Sequence, residues 1–197
     1  MGIEAIKGDI MDTAPLNSEA IAVWLFNGFN SRFDIWRSEI KKRNIQLELL
    51  YPNDFIHSQE TLESAYKMNI EREPSRLPFE TLWKITNQNH GQLKYIYIFP
   101  NPEDKNRLEN LDEIDELIKV CFKVLKKNFI NSVSFILIPA LPYGENGIDI
   151  QDRKSAEQMI DSIKNCLSEN KVDMNVYLVD RKDSFRNVIE RFESESE

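Results

Sequence analysis

Two glycine-containing turns carry the residues whose types and spacing favour ligand binding. The longer turn, residues 139–148, reads Pro-Ala-Leu-Pro-Tyr-Gly-Glu-Asn-Gly-Ile and joins an apolar stretch to an amphipathic one. Gly144 and Gly147 allow neighbouring backbone N–H groups to point toward one anion, as in diphosphate sites beside a helix N-terminus. Two glycines also occur in ordinary strand-to-helix loops, so a plain turn is the alternative interpretation.

The shorter turn is Gly8-Asp9-Ile10, which directly follows a short apolar stretch. Gly-Asp after a strand is a common turn, and its Asp often caps the next segment of the chain. In the longer turn, Glu145 is either a general base or a solvated carboxylate, and a carboxylate beside a diphosphate is unfavourable. The rings of Tyr143 and Phe29 either stack on a base or ribose or pack within their loops.

Alternating strands and helices in the second half of the chain predict the frame that positions these turns. Short β-branched and aromatic stretches bounded by turn residues predict buried strands at 94–99, 133–138 and 175–179. Apolar residues spaced by three and four predict helices at 111–125, 156–167 and 185–192, with Asp152 and Asp183 near the start of the last two. This alternation predicts a three-layer α/β/α sandwich with a mixed, largely parallel central sheet.

The first half of the chain is less regular. Apolar stretches predict strands at 3–6, 20–26 and 46–50. Helices are predicted at 31–43, 54–72 and 76–87. The length of the chain favours a single domain over residues 1–192, followed by a disordered acidic tail at 193–197.

Ligands of open parallel sheets bind beyond the carboxyl ends of the strands. In this chain those ends are followed by Asn27-Gly28, Pro100, residues 139–150 and Asp180. We therefore expect a site built from these segments, whatever its ligand is.

The order of these segments resembles that of macrodomains, the domains that bind ADP-ribose. Gly8-Asp9-Ile10 matches a Gly-Asp-Ile that macrodomains carry after their first strand. Residues 139–147 are similar to the family's Pro-Ala-Ile-Ser-Thr-Gly-Ile-Tyr-Gly loop, with both glycines in register, and residues 176–182 look like its last strand. The resemblance covers most of the chain, least well at 45–90, and implies that Asp9 accepts a hydrogen bond from the adenine amino group.

The resemblance also implies a set of site residues and partners. The ligand would be ADP-ribose or a related adenine or NAD-derived nucleotide, an ADP-ribosylated protein is a further candidate partner, and neither a cofactor nor a metal is expected. The implied ligand-binding residues are Asp9, Ile10, Asn27, Gly28, Ala140, Leu141, Tyr143, Gly144, Glu145, Asn146, Gly147, Ile148 and Asp180.

Both phosphate-facing loops depart from the family pattern. The Asn-Ala-Ala-Asn and glycine run that follow the family's second strand are replaced by residues 23–30, where bulky Trp24 and Phe26 stand and only Gly28 remains of the glycines. In the second loop, Pro142-Tyr143 replaces Ser-Thr, and Asn146 replaces the aromatic residue before the last glycine.

These departures leave three functions open. The first is a module that binds ADP-ribose or a related nucleotide. The second is a hydrolase that removes ADP-ribose from a modified substrate, with Asn27, Glu145 and Asn146 as candidate catalytic residues. The third is a non-catalytic protein-binding protein, of the immunity or antitoxin kind, whose pocket has degenerated.

Composition narrows the remaining possibilities. The chain is 41% hydrophobic and 29% charged, which is typical of a globular protein, and its formal net charge of -8 argues against nucleic-acid binding. Cys121 and Cys166 fall on apolar helical stripes and are predicted core residues, while His57 and His90 stand alone, which argues against zinc. Neither a signal-peptide pattern nor an apolar run of about 18 residues is present, so we expect a cytoplasmic protein without a membrane segment.

Overall fold

The computed structural model describes residues 2–23, 40–51, 80–99, 110–138 and 148–194. The strands are β1 (Ile3–Lys7), β2 (Ala20–Val23), β3 (Leu47–Tyr51), β4 (Thr81–Ile85), β5 (Tyr95–Ile98), β6 (Ser132–Ile136) and β7 (Asn175–Asp180). The helices are α1 (Ile10–Asn17), α2 (Asp112–Lys127), α3 (Ile148–Glu169) and α4 (Ser184–Ser194).

The described strands form one sheet in the order β1-β7-β6-β2-β5-β4-β3. The first five strands in this order are mutually parallel, and β4 is antiparallel to both of its neighbours. The prediction of a mixed, largely parallel sheet is therefore confirmed. Because β1, β7, β6, β2 and β5 run the same way, their carboxyl ends share one edge, which we call the carboxyl edge.

The prediction of a helix at 76–87 is wrong, because β4 occupies Thr81–Ile85. In β4, Leu82 faces one core and Trp83 faces the other, so both faces of the strand are buried. A strand that is buried on both faces reads as a continuous apolar run, and its pattern is easily taken for a helix. Pairing with β3 and β5 decides the structure of this segment.

Side chains of the sheet alternate between two cores. Ile21 and Val23 of β2 pack with α1 on one face, whereas Ala20 and Ala22 pack with α2, α3 and α4 on the other. This placement of helices on opposite faces is the predicted three-layer arrangement. The prediction that Cys121 and Cys166 are core residues is confirmed, since both are buried.

Burial also makes the two thiols unreactive. It raises the pKa of Cys121 well above its usual range, and it raises the pKa of Cys166 to about 11. The reactive form of cysteine is the thiolate, so neither side chain is a nucleophile at neutral pH.

Helix α3 begins earlier in the chain than the helix predicted at 156–167. Helix α3 begins at Ile148, so the proposal that Asp152 caps it is wrong. Helix α4 begins at Ser184, directly after Asp183, as predicted. The described residues leave out 31–39 of the helix expected at 31–43, all of the helix expected at 54–72, and 24–26 of the strand expected at 20–26.

Within the described ranges, no helix is long and apolar enough to cross a membrane.

Helix α2 ends in a Schellman motif whose central residue is unfavourable. The N–H of Ile130 donates to the carbonyl of Leu125 at 3.1 Å, and the N–H of Phe129 donates to that of Lys126, also at 3.1 Å. This motif requires a left-handed residue, usually glycine, and Phe129 occupies the position with φ 57. Its side chain is 87% exposed, so it recovers little free energy by packing.

We therefore expect Phe129→Gly to raise the free energy of unfolding by about 1 kcal/mol, because glycine adopts left-handed backbone angles without steric cost. Urea denaturation of both proteins measures the difference. Phe129→Ala is the matched control, since alanine retains the Cβ atom and should leave stability near that of the wild type. An equal gain in both variants would contradict this explanation.

Candidate functional site

The junction of β1 and β7 lies at the carboxyl edge. These strands are paired in parallel, with Lys7 opposite Asp180. The N–H of Gly8 extends the pairing by donating to the carbonyl of Asp180 at 2.8 Å. Asp9 lies two residues beyond β1 and Arg181 directly follows β7, so the two residues emerge side by side.

Asp9 is the N-cap of α1 and is firmly held. Its Oδ1 accepts a hydrogen bond from the N–H of Met11 at 2.9 Å. Its carbonyl accepts from the N–H groups of Asp12 and Thr13, both at 3.1 Å. The cap that sequence reasoning offered as the alternative to a ligand contact is thus present, and it fixes the direction of the carboxylate.

The other carboxylate oxygen of Asp9 accepts a hydrogen bond from the guanidinium of Arg181. Partial burial raises the pKa of Asp9, but the hydrogen bonds from Arg181 and Met11 and the charges of Arg181 and Arg43 outweigh it. The net effect lowers the pKa of Asp9 below its ordinary value. Asp9 is therefore ionised at neutral pH and can only accept hydrogen bonds.

Alternation along β7 explains why Arg181 meets Asp9. Val179 belongs to the α1-side core, and side chains two apart on an extended chain share a face. Asp180 lies between them, and its carboxylate accepts the N–H of Ser184 at 2.8 Å, at the start of α4. The Asp180 carboxylate is therefore hydrogen-bonded to the start of α4. Its contact with a ligand stays a prediction.

A second arginine, Arg43, also contributes to this region. Arg43 donates to the Asp12 carboxylate on α1 at 2.6 Å, and its charge helps to lower the pKa of Asp9. Sequence reasoning singled out neither this contact nor the one between Asp9 and Arg181. The spacing of Val179 and Arg181 was the available signal for the second contact.

The structure describes four of the predicted site residues. Asp9 and Ile10 lie at the start of α1, Asp180 ends β7, and Ile148 begins α3. The others lie outside the described residues; they are Asn27, Gly28, Ala140, Leu141, Tyr143, Gly144, Glu145, Asn146 and Gly147. All three candidate catalytic residues, Asn27, Glu145 and Asn146, are among them.

The sheet topology nevertheless shows where β6, the strand before residues 139–147, ends. Residues 139–147 follow β6, and β6 is separated from β1 by β7 alone. Adjacent strands lie about 4.8 Å apart, so the ends of β1 and β6 are about 10 Å apart along the carboxyl edge. β6 therefore ends on the same edge of the sheet as Asp9, and residues 139–147 follow it in the chain.

The described part of this edge presents an anionic acceptor beside cationic donors. Asp9 retains lone pairs beyond the two that Met11 and Arg181 use, and Arg181 is 67% exposed with further N–H groups. Among the described residues, no group of three or more His, Cys, Asp or Glu side chains could hold a metal ion. The arrangement is suited to recognising a ligand edge that carries both a donor and an acceptor.

Solved structures similar to this chain are macrodomains. The macrodomain of Mycobacterium tuberculosis DarG is 16% identical, with a TM-score of 0.53 over 90% of this chain and 97% of that one. A Trypanosoma brucei macrodomain in complex with ADP-ribose is 12% identical, with a TM-score of 0.54 over 96% and 68% of the two chains. The Oceanobacillus iheyensis macrodomain with ADP is 15% identical, with a TM-score of 0.53 over 98% and 92%.

No protein-family model matches the chain, and no curated protein matches it. The likeness therefore lies in the fold: a mixed sheet, with seven strands in the part of the chain that the structure describes, and helices on both faces. This chain has the macrodomain fold, as the sequence resemblance implied.

Proposed function

We infer that this protein binds ADP-ribose, or a nucleotide related to it, at the carboxyl edge of its sheet. The observation that carries the proposal is the Asp9 carboxylate. It is held by the N-terminus of α1, kept ionised by Arg181 and placed beyond the end of β1. An ionised carboxylate in a fixed direction is suited to accept a hydrogen bond from the exocyclic amine of adenine.

The position of the longer turn supports the rest of the ligand. A diphosphate needs inward-pointing N–H groups, which Gly144 and Gly147 are proposed to supply ahead of α3. The turn starts about 10 Å along the edge from Asp9, a separation that suits a nucleoside diphosphate spanning two strands. The solved macrodomains from T. brucei and O. iheyensis, which hold ADP-ribose and ADP, support a nucleotide as the ligand.

Titration calorimetry with ADP-ribose tests the proposal. We expect measurable heat and a rise in melting temperature with ADP-ribose and with ADP, and weaker binding of ribose 5-phosphate, which lacks the base that Asp9 recognises. The absence of both heat and a thermal shift at millimolar ADP-ribose would contradict the proposal.

The proposal ends at binding. Removal of ADP-ribose from a modified protein would involve Asn27, Glu145 and Asn146. Both this activity and the modified protein as a partner stay predictions from the sequence. Incubation with an ADP-ribosylated protein tests it, and an unchanged level of modification over hours would argue against catalysis.

The alternative of a protein-binding module rests on the net charge of -8, which suits a basic partner.

A further inference from the structure

The contact between Asp9 and Arg181 places two complementary hydrogen-bonding groups next to each other. The carboxylate of Asp9 only accepts hydrogen bonds, and the guanidinium of Arg181 only donates them. A ligand that meets both groups must therefore present a donor beside an acceptor. Exocyclic N6 of adenine is such a donor, and it is flanked by the ring acceptors N1 and N7.

Both groups have capacity left for a ligand. A carboxylate accepts up to about four hydrogen bonds, and Asp9 receives two from side-chain and backbone donors, those of Arg181 and Met11. Among the described residues, Asp9 is the side-chain partner of Arg181, whose side chain is 67% exposed. The planar guanidinium carries five N–H groups in a fixed arrangement, so one can bind Asp9 while another faces a ligand.

We propose that Arg181 is a specificity-determining residue that donates a hydrogen bond to a ring nitrogen of the purine, while Asp9 accepts from the neighbouring exocyclic amine. The proposal rests on the proposed function, because it assigns a role to Arg181 within that same site.

The role of Arg181 is tested by changing this residue and the adenine ring, separately and together. The wild type and Arg181→Ala are each titrated with ADP-ribose and with two analogues, in which C–H replaces N1 or N7 of the adenine. Arg181→Ala should bind ADP-ribose about tenfold more weakly, since a base-edge hydrogen bond to arginine discriminates by about that factor. One analogue should bind the wild type about tenfold more weakly, and with it the substitution should have no further effect.

Arg186→Ala is the matched control. Arg186 lies in α4, its guanidinium is half exposed, and it pairs with Asp183 at 3.7 Å rather than with Asp9. The control removes one positive charge from the same end of the sheet and should leave the affinity for ADP-ribose within about twofold of the wild type. An equal loss in the two variants would assign the effect of Arg181 to charge alone and overturn the proposal.

Other results would also overturn it. If Arg181→Ala weakens all three ligands by the same factor, no ring nitrogen is read by Arg181. If Arg181→Ala binds ADP-ribose as well as the wild type or more tightly, Arg181 is a neutral neighbour or a competitor for Asp9. If the wild type binds none of the ligands, the proposed function itself fails, which separates that outcome from the failure of the assignment to Arg181.

Discussion

Asp9→Asn should bind ADP-ribose about 10- to 100-fold more weakly than the wild type, which is the range for losing a hydrogen bond to a charged group. The substitution replaces one acceptor oxygen with an NH₂ donor that opposes the amine of adenine. Calorimetry or a competition assay measures the loss directly. Asp9→Ala should lose at least as much affinity, and it would also lose the cap of α1.

Asparagine is chosen because the fold should survive it. Asn is as effective an N-cap as Asp, so the bond from the Met11 N–H to this side chain can be kept. The lost ion pair involves a guanidinium that is 67% exposed, and such pairs contribute about 1 kcal/mol or less. A melting temperature close to that of the wild type would show that weaker binding does not result from unfolding.

Asp12→Asn is the control within the same helix turn. The Asp12 side chain is 70% exposed and pairs with Arg43, so this variant removes a nearby negative charge without touching the proposed acceptor. We expect its affinity for ADP-ribose to change by less than about threefold. Equal losses in Asp9→Asn and Asp12→Asn would mean that the site responds to net charge, and the role of Asp9 would then be wrong.

The sequence predicted the parallel part of the fold because its strands are short apolar stretches bounded by turn residues, and its helices carry apolar residues spaced by three and four. The strand predicted at 133–138 and the helix predicted at 111–125 correspond to β6 and α2. Strand β4 was missed because both of its faces are buried, which removes the alternation that identifies a half-exposed strand. Burial on two faces depends on neighbours distant in the chain, so it is not visible in a local window.

The candidate site was predictable in position but not in its contacts. Asp9 was found from a three-residue turn and from the rule that ligands bind beyond the ends of parallel strands. Its contact with Arg181 joins residues 172 positions apart and depends on the register of β1 against β7. Register is set by tertiary pairing, so the sequence shows that Arg181 ends a strand but not which carboxylate it meets.

The turn before β5 contains the position where one added methyl group should be most damaging. Gly91 has φ +60, and a Cβ atom there would lie 2.2 Å from the carbonyl oxygen of Pro15 in α1. The same oxygen accepts the N–H of Gln92 at 2.7 Å, and the side chain of Gln92 donates to the carbonyl of Leu16 at 3.0 Å. This turn therefore fastens the C-terminal end of α1, the helix whose first turn carries Asp9.

Gly91→Ala should lower the free energy of unfolding by about 2–4 kcal/mol. A left-handed residue other than glycine costs about 1 kcal/mol or more, and the clash with backbone atoms adds to that cost because they cannot rotate away. Denaturation in urea measures the loss. If α1 shifts to relieve the clash, the affinity for ADP-ribose should fall in the same variant, because the direction of the Asp9 carboxylate depends on the start of that helix.

Gly2→Ala is the matched control, since a Cβ atom there would meet nothing within 4 Å. Its stability should stay within about 0.5 kcal/mol of the wild type. If Gly91→Ala were as stable as Gly2→Ala, the close approach between this turn and Pro15 would be wrong, and so would the docking of α1 against it. Because α1 supplies Asp9, such a result would also remove the physical reason for expecting its carboxylate to hold one direction.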